Sequence, residues 1–349
     1  MRPLLHEIGT AHSPESLLAR LAGEPGVVAL RSAAFDSPQA RYSFVTARPF
    51  LTFCAWGSRC EIQAPEGGNR TQFGNPWQVL DALMARYELL VEADLPFPLG
   101  GCFGYWGYDL KNFVEPRLPR RAVNDLELPD CHVGFYASLV VFDHHLGKTW
   151  VVATGLDADG ARTDARAAAQ VAYWREHLTA DAEKNSLRPN TPSPGRVVGA
   201  EANPDRQPQV RSLLGERAGV RAGVTSNLSR TDFLAAVDRV LRYIHAGDIY
   251  QVNLAQRLTA PCPFSGPELF ARLTAVSPAP FAAYVDCGDF QLASSSPELF
   301  LRLSGAHILT RPIKGTRPRA SDPTRDAQLA YELQTRPKEL AELVMITVL

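Results

Sequence analysis

Short runs of β-branched and aromatic residues, bounded by Gly, Pro or Asp, recur through the first part of the chain and predict short strands. The clearest of them are Val27–Leu30, Tyr42–Val45 and Tyr136–Phe142. The apolar period then lengthens from that of a strand to that of a helix. From about Thr163 to His177 an Ala-rich segment places Val171 and Trp174 on one face, which predicts a helix. Residues 1–177 are therefore expected to form a first domain of strands and helices.

A segment that lacks aromatic residues follows. None occurs from Leu178 through Asp232, and Arg188–Pro208 contains five prolines. Such a segment buries too little apolar surface to offset the entropy lost on ordering. We therefore predict that residues 178–228 form a disordered linker, with a short helix near Leu213–Arg217.

The third zone, residues 229–349, opens with a helix signal. Ser229 and Asp232 fit a capping box, in which the first side chain accepts a hydrogen bond from the backbone N–H three residues later. Apolar residues then recur at helical spacing, namely Phe233, Val237, Val240, Leu241 and Ile244. Gly247 is placed to end this helix.

Short β-like segments follow this helix, and turn residues separate the later ones. The segments are Tyr250–Leu258, Phe281–Cys287, Phe290–Ser294, Glu298–Leu303 and His307–Ile313. Gly288-Asp289 and Ser304-Gly305 stand at two of the junctions. Consecutive strands joined by tight turns predict an antiparallel meander.

A final helix is predicted to begin at Pro337, since proline is favoured at the first helical position. It runs into the apolar stretch Leu343–Leu349 with no Gly, Asn or basic residue to close it. Such an apolar run needs a packing partner. From this pattern we expect that the sequence is truncated relative to a longer protein.

Composition places the chain among soluble globular proteins. Its 349 residues suggest about two domains, and its formal net charge of -1 lacks the basic excess of a general nucleic-acid binder. The longest apolar stretch, around Val133–Phe142, is too short to span a bilayer. The six cysteines form no CxxC pair, and the chain opens without the pattern of a signal peptide. We predict a cytoplasmic protein with reduced thiols that binds neither nucleic acid nor a membrane.

Four features of the third zone are candidates for chemistry. The first is the segment Tyr250–Leu258, whose period-2 alternation places Gln251 and Asn253 on one polar face. A half-exposed strand is the plainer interpretation of that pattern.

The second feature is Glu298, which follows a proline at the start of an apolar strand. A carboxyl group among apolar neighbours can act as a general acid, although a surface glutamate is the commoner case.

The third feature is Lys314 in the segment Arg311–Arg319, after a predicted strand. Gly315 next to it permits close approach of the backbone to a ligand. A lysine in a desolvated pocket can become a nucleophilic amine. The arginines of the segment, Arg311, Arg317 and Arg319, would supply positive charge for an anion. A basic surface turn is the alternative.

The fourth feature is a pair of carboxylates, Glu339 and Glu342, at positions i and i+3 of the final helix. Carboxylate oxygens on one helical face suit a hard cation such as Mg²⁺. The pair is weak support by itself, because solvated helix faces carry such pairs routinely.

Together these segments resemble the chorismate-utilising enzyme family. Its members include component I of anthranilate synthase, component I of aminodeoxychorismate synthase, and the isochorismate and salicylate synthases. The segments GDIYQVNLAQR, SPELF, RPIKGTRPR and KELAELVMI occur in the family's order, and RYSFVTARPF and GGCFGYWGYDL are similar to its amino-terminal segments. The resemblance implies an α+β fold of the anthranilate synthase component I type, with large antiparallel sheets flanked by helices. It also implies that residues 229–349 are the first part of an incomplete chorismate-binding catalytic domain.

Two positions distinguish the branches of this family. In isochorismate and salicylate synthases the position of Gln251 is a lysine that activates water, and an amide cannot be that base. The position of Lys314 is usually small in anthranilate synthases, in PIAGT, whereas PIKGT is the pattern of aminodeoxychorismate synthase component I. The resemblance therefore implies conversion of chorismate and ammonia to 4-amino-4-deoxychorismate, for 4-aminobenzoate and folate. An anthranilate synthase with an unusual lysine, and an inactive truncated chain that only binds a partner, remain alternatives.

The resemblance also implies roles for individual residues. Lys314 would attack ring carbon C2 of chorismate, and Glu298 would protonate the departing C4 hydroxyl group. The other matched positions are the substrate contacts Gln251, Asn253, Gly315 and Thr316 and the Mg²⁺ ligands Glu339 and Glu342.

Family members receive ammonia from a separate glutaminase subunit, so the resemblance implies a glutamine amidotransferase partner. The tryptophan-binding LLES-type motif of anthranilate synthases corresponds to Ala29–Ser32, where Arg31 replaces the usual glutamate. The pattern leaves open whether a tryptophan site is present.

The family's RNDLG and GSVTGAPK-like segments do not occur, and Val348 stands where the family has aspartate. The 349-residue chain alone is therefore expected to be inactive and poorly soluble.

Overall fold

The computed structural model describes residues 2–33, 40–65, 67–89, 95–119, 124–179, 223–304 and 307–348. The chain divides into two compact units. The first comprises Met1–Arg188 and Gly266–Leu349, and the second comprises Pro189–Ser265. Most of the predicted linker, including its expected short helix, lies outside the described residues.

An antiparallel sheet of seven strands forms the centre of the first unit. In spatial order its strands are β1 (Leu4–Glu7), β10 (Lys148–Ala153), β9 (Ser138–Asp143), β3 (Tyr42–Thr46), β2 (Val28–Arg31), β13 (Phe281–Asp286) and β14 (Gln291–Ser296). In the pairing of β13 with β2, Val285 lies opposite Val28 and Ala282 lies opposite Arg31. The sheet therefore joins the first part of the sequence to a segment of the predicted catalytic zone.

Three helices of the first unit contribute side chains to one apolar core. They are α1 (Pro14–Arg20), α3 (Asp164–Thr179) and α5 (Gly266–Val276). Leu17, Trp174 and Phe270, one from each helix, are buried in a single cluster with residues of the seven-stranded sheet. Burial of a large apolar side chain contributes about 1.5–3 kcal/mol. The helix predicted from about Thr163 is confirmed as α3, with shifted ends.

A second antiparallel sheet, of five strands, belongs to the same unit. In spatial order its strands are β6 (Arg70–Phe73), β5 (Arg59–Gln63), β4 (Leu51–Trp56), β8 (Cys131–Tyr136) and β7 (Gly101–Trp106). Its core includes side chains from α2 (Pro76–Arg86) and from a 3₁₀ helix, Tyr108–Phe113. Two antiparallel sheets with flanking helices confirm the α+β fold that the sequence predicts.

The apolar run Tyr136–Phe142 forms two strands rather than the single strand predicted. β8 ends at Tyr136 in the five-stranded sheet, and β9 begins at Ser138 in the seven-stranded sheet. Between them, the carbonyl oxygen of Ala137 accepts hydrogen bonds from the N–H and the hydroxyl group of Thr154, both at 2.8 Å. The residues of this run are all apolar or small because both strands are buried. The sequence pattern therefore does not show where the chain passes from one sheet to the other.

A hairpin and two helices make up the remaining described part of the first unit. β15 (Leu299–Ser304) pairs with β16 (His307–Arg311), and α6 (Pro323–Thr335) and α7 (Pro337–Val348) follow. The predicted start of the last helix at Pro337 is confirmed.

The predicted meander holds only in part. Gly288 has a φ of 83° in the turn between β13 and β14, as expected for a turn glycine. β14 and β15, however, belong to different sheets. Pro297 stands between them and lacks the N–H that a continuing ladder needs.

The described part of the second unit contains one long helix, α4 (Arg230–Ala246). The hydroxyl group of Ser229 accepts a hydrogen bond from the backbone N–H of Asp232 at 3.1 Å. Gly247 ends the helix with a φ of 81°. Both predicted helix ends are therefore confirmed.

The predicted strand Tyr250–Leu258 is wrong over most of its length. Only β12 (Leu258–Thr259) is a strand, and it pairs with β11 (Thr225–Ser226). Within the described residues no strand lies beside the preceding segment, and alternation alone cannot form a ladder without a hydrogen-bonding neighbour.

All six cysteines are free thiols, and Cys54, Cys60 and Cys131 are buried. Burial raises the pKa of Cys54 and Cys102 to about 12, which makes both thiols poor nucleophiles. Among the described residues, no helix has the length and apolar character that crossing a bilayer requires.

Candidate active site

The segment that carries Lys314 leaves β16 and packs its backbone against the last two helices. Gly315 has a φ of 67°, a left-handed conformation that favours glycine. A Cβ atom at this position would lie 2.6 Å from Cγ of Glu339 and 2.9 Å from Cδ1 of Leu333. Glycine is therefore required at this position for two reasons: its backbone can adopt the left-handed conformation, and it has no side chain to clash with α6 and α7. The backbone of Gly315 thus lies close to α6 and α7, and the approach to a ligand that the sequence suggests stays a prediction.

An ion pair fixes the same segment to α7. Nη2 of Arg317 donates to Oε1 of Glu339 at 2.9 Å, and both side chains are largely buried, with 18% and 13% of their surface exposed. The hydrogen bond from Arg317 lowers the pKa of Glu339. Glu339 is therefore ionised at neutral pH and held in one position.

The second oxygen of that carboxylate is available for a ligand. Oε2 of Glu339 is buried and has no hydrogen-bond partner among the described residues. Glu342 lies one turn further along α7 and is half-buried. A buried carboxylate oxygen without a donor is a suitable cation ligand, and Mg²⁺ in proteins uses one or two carboxylates and keeps several waters. The two glutamates therefore fit a Mg²⁺ ion, although the described residues contain no cluster of three or more metal-binding side chains.

Lys314 itself is half-buried. Its ammonium group has no hydrogen-bond or ion-pair partner in the part of the chain that the structure describes. Thr316, two residues later, is exposed, and its carbonyl oxygen accepts from Nη1 of Arg317 at 2.7 Å. A half-buried lysine without a counter-ion is free to meet a substrate.

Glu298 lies beside the Lys314 segment, but not in the apolar setting that the sequence suggests. Its side chain is exposed, and its Oε1 accepts from the backbone N–H of Ile313 at 3.1 Å. The hydrogen bond joins the start of β15 to the residue before Lys314. The structure thus brings Glu298, Lys314 and Glu339 together through contacts of a single short segment.

Two of the three arginines proposed as an anion-binding group are already paired. Arg317 binds Glu339, and Arg319 makes a two-pronged contact with Asp326, with Nη2 to Oδ2 at 2.8 Å. The backbone N–H of Ala320 also donates to Asp326, at 2.9 Å. These arginines attach the loop to α6 and α7 instead of offering free positive charge. Among the described residues, Arg311 is the one of the three without a carboxylate partner.

Gln251 and Asn253 belong to the second unit. Both side chains are exposed, and neither has a hydrogen-bond partner among the described residues. The segment around them is not a strand, so the shared polar face predicted from alternation is not formed. Their proposed contact with substrate remains a prediction.

The Ala29–Ser32 motif is enclosed by polar contacts that the sequence pattern did not reveal. The hydroxyl group of Ser32 donates to the carbonyl oxygen of Pro280 at 2.9 Å, and Arg31 pairs with Glu15. Nη1 of Arg31 lies 3.2 Å from Nε2 of His144. Burial and the positive charge of Arg31 lower the pKa of His144. No local signal marks Glu15 or His144, because their contacts depend on the order of strands in the sheet.

Comparison with known proteins defines the class of this chain. Residues 31–349 match the family described as chorismate binding enzyme, and the chain belongs to that family. The resemblance inferred from the four motifs is therefore confirmed.

Two named branches of the family occur among the relatives of the chain. It is 35% identical over 339 residues to anthranilate synthase component 1 of Thermus thermophilus, with 96% of this chain and 64% of the relative covered. It is 30% identical over 336 residues to aminodeoxychorismate synthase component 1 of Escherichia coli, with 95% and 64% covered. The chain thus spans less than two thirds of the length of each relative.

The fold is shared with a solved structure of the same class. Anthranilate synthase component I from Streptococcus pneumoniae superposes with a TM-score of 0.61 over 89% of this chain and 60% of that protein. The sequence identity is 22%, so this likeness concerns the fold alone.

Proposed function

We propose that the chain forms the chorismate-binding part of an aminodeoxychorismate synthase component I. In this proposal it converts chorismate and ammonia to 4-amino-4-deoxychorismate, a precursor of 4-aminobenzoate and folate. The observation that supports it best is the placement of Lys314. This half-buried lysine has no counter-ion among the described residues and stands directly before Gly315, whose backbone contacts Glu339.

The proposed reaction uses Lys314 as a nucleophile and Glu298 as a general acid. The neutral amine of Lys314 attacks ring carbon C2, both conjugated ring double bonds shift by one position, and the C4–oxygen bond breaks. Glu298 donates its proton to the departing oxygen, which leaves as water. Ammonia then adds at C4 and gives up a proton, both ring double bonds shift back, and the bond from C2 to Lys314 breaks. Lys314 must be unprotonated when it attacks.

Glu339 and Glu342 are the proposed ligands of a Mg²⁺ ion. The buried, unpartnered Oε2 of Glu339 supports this assignment. Bound Mg²⁺ would supply positive charge for a carboxylate group of the substrate. The ion pair with Arg317 would hold Glu339 in place whether or not the metal is bound. Gln251, Asn253, Gly315 and Thr316 are the proposed substrate contacts.

The proposed source of ammonia is a glutamine amidotransferase subunit. The name component 1, which the relatives in Thermus thermophilus and Escherichia coli share, supports a partner component. Such a pair of subunits would act in the cytoplasm.

Anthranilate synthase component I is the second candidate. The 35% identity to the Thermus thermophilus relative favours it over the 30% to the Escherichia coli relative. In that reaction the amino group enters at C2, the carbon that Lys314 attacks in the first proposal. The identity of the product therefore distinguishes the two candidates.

The test uses the protein as its source cells make it, purified with and without the substitution Lys314→Ala. Chorismate, ammonium and Mg²⁺ are supplied, and the products are identified by chromatography and mass spectrometry. We expect 4-amino-4-deoxychorismate from the unaltered protein and a loss of about 10²-fold or more in Lys314→Ala. Lys338→Ala, an exposed lysine on α7, is the matched control and should retain activity. Anthranilate as the product, or full activity in Lys314→Ala, would contradict the proposal, and chorismate binding without any turnover would favour a binding-only chain.

A further inference from the structure

A wide cleft opens in the first unit among residues that the chorismate motifs do not include. Its volume is about 1080 Å³, slightly above the usual range for small-molecule sites. Residues of β4, β5, α2 and α3 and of the loop at 156–159 line it. None of the residues proposed for chorismate chemistry is among them.

The inner wall of the cleft is apolar and aromatic. Phe50 and Tyr87 meet edge to face, with ring centroids 5.2 Å apart, and only 8% and 7% of their surfaces are exposed. The hydroxyl group of Tyr87 donates to the carbonyl oxygen of Ala158 at 2.8 Å, which fixes the ring. Leu51 and Ile62 add aliphatic surface. A rigid wall of this kind suits a flat, apolar ring.

The charge on the cleft is unbalanced. Four arginines and two aspartates are among the described lining residues. Both aspartates are held by one arginine, since Arg166 lies 2.9 Å from Asp159 and 3.4 Å from Asp157. Of the other three arginines, Arg48 pairs at 3.8 Å with Glu24, which does not line the cleft, and Arg70 and Arg86 have no carboxylate partner among the described residues. Their excess positive charge favours an anion.

Arg48 is held there at a conformational cost. Its φ is 57°, a left-handed conformation that is uncommon and strained for residues other than glycine. Its backbone N–H donates to the carbonyl oxygen of Pro25 at 2.9 Å, and its guanidinium group lies 5.1 Å from the ring centroid of Tyr173. Nε of Arg48 forms a long ion pair with Oε2 of Glu24 at 3.8 Å, and 61% of the Arg48 side chain is exposed. Arg48 is thus fixed at the cleft with more than half of its side chain exposed.

Arg70 and Arg86 approach from other sides. Arg70 begins β6, is exposed, and has no ion-pair partner in the described part of the chain. Arg86, near the end of α2, lies over the ring of Tyr87 at 5.3 Å and donates to the carbonyl oxygen of Ala158 at a long 3.5 Å. Guanidinium groups in this setting can form paired hydrogen bonds to a carboxylate.

We propose that this cleft binds a small aromatic carboxylate. The ring packs against Phe50 and Tyr87, and the carboxylate group meets Arg48 and Arg70. The site would take a ring-bearing anion in addition to any substrate bound at the Lys314 segment. The proposal does not depend on which amination reaction the protein performs.

Calorimetric titration of the chain with three probes tests the proposal. Benzoate carries both the ring and the charge, benzamide is its neutral counterpart, and inorganic phosphate is an anion without a ring. We expect benzoate to bind with a stoichiometry of one outside the Lys314 segment, and both other probes to bind at least about tenfold more weakly. Equal affinity for phosphate would replace the proposal with a simple anion site, and the absence of benzoate binding at millimolar concentration would overturn it.

Variants locate the binding. Arg48→Gly removes the charge and suits the left-handed backbone, and Arg70→Gln removes a second charge at an exposed strand position where folding is not at risk. Each should weaken benzoate binding about tenfold, equivalent to about 1.4 kcal/mol. Arg59→Gln is the control, because the guanidinium group of Arg59 lies over Trp56 and neither residue lines the cleft. Unchanged binding in both cleft variants, or loss of binding in Arg311→Gln instead, would place benzoate elsewhere and overturn the proposal.

Discussion

Arg317 donates to Oε1 of Glu339 at 2.9 Å, and this ion pair ties the segment that carries Lys314 to the helix that carries the proposed metal ligands. Gly315 reinforces the connection, because its backbone lies against the Glu339 side chain. Three consecutive features of the PIKGTR segment therefore act together: a half-buried amine, a glycine in close contact, and an arginine that anchors the loop. The position of Lys314 depends on two contacts made by its neighbours.

Gly315→Ala should therefore destabilise the protein and displace the Lys314 segment. The left-handed conformation alone costs alanine about 1–2 kcal/mol. The contact at 2.6 Å with Cγ of Glu339 adds a further cost of about 1–3 kcal/mol, typical of overpacking. Urea unfolding measures the loss of stability, and chorismate titration measures the expected loss of binding.

Gly288→Ala is the matched control for that change. Gly288 has a similar φ, 83°, but no atom lies within 4 Å of a Cβ at that position. It should show the conformational cost without the steric one. Equal losses in the two variants would mean that the contact with Glu339 contributes nothing.

The Arg317–Glu339 pair predicts a specific pH dependence of stability. Arg317 lowers the pKa of Glu339 in the folded state, so the pair stabilises the fold at pH values above the ordinary carboxyl value of 4.5. That contribution is lost as pH falls through the lowered folded pKa. The free energy of unfolding should therefore be smaller in Arg317→Ala than in the unaltered protein near neutral pH. The difference should shrink as the pH is lowered below 4.5.

Arg311→Ala separates this effect from the general loss of a positive charge. Arg311 is exposed on β16 and has no carboxylate partner among the described residues. Its removal should change stability by no more than about 0.5 kcal/mol at any pH. A pH-dependent loss of the same size in both variants would show that the pair with Glu339 is not the cause.

Local signals in the sequence predicted local structure well. The Ser229 cap, the Gly247 stop and the Gly288 turn all act within a few residues, and the structure has each of them where the sequence places it. The residues of the chorismate motifs could likewise be identified, because Lys314 and Gly315 are neighbours in sequence. The residues that contact them in the folded protein could not be predicted.

Long-range partners account for the errors. Alternation placed Gln251 and Asn253 on a strand, but a strand also needs a neighbour, and the described residues provide none there. The sequence suggested Arg317 and Arg319 as anion binders, since spacing cannot reveal which carboxylate a long side chain will reach. Both reach acidic residues of the following helices instead.

Mg²⁺ binding should depend on the pair of glutamates on α7. Glu342→Gln removes one carboxylate charge at nearly constant shape, so Mg²⁺ affinity measured by titration calorimetry in the presence of chorismate should fall by about tenfold or more. Glu176→Gln, an exposed glutamate on α3 without a partner in the described residues, is the control and should bind Mg²⁺ normally. Undiminished affinity in Glu342→Gln would remove this residue from the proposed metal site.

The last prediction concerns the core that unites the two parts of the first unit. Phe270 of α5 is 1% exposed, lies 5.9 Å from the ring of Tyr284 on β13, and shares its cluster with Leu17 and Trp174 from the amino-terminal part. Phe270→Ala should lower the free energy of unfolding by about 3–5 kcal/mol, since it removes a large side chain from a packed core.

The effect of Phe270→Ala should also reach the amino-terminal part of the unit. All five tryptophans, Trp174 among them, belong to the amino-terminal part. Because β13 pairs with β2, tryptophan fluorescence should report the loss at the same denaturant concentration as circular dichroism. Phe73→Ala, at a side chain that is 76% exposed, should change stability by no more than about 0.5 kcal/mol. If the tryptophan fluorescence of Phe270→Ala changed at the same denaturant concentration as that of the unaltered protein, the two segments would be independent in stability despite sharing one sheet.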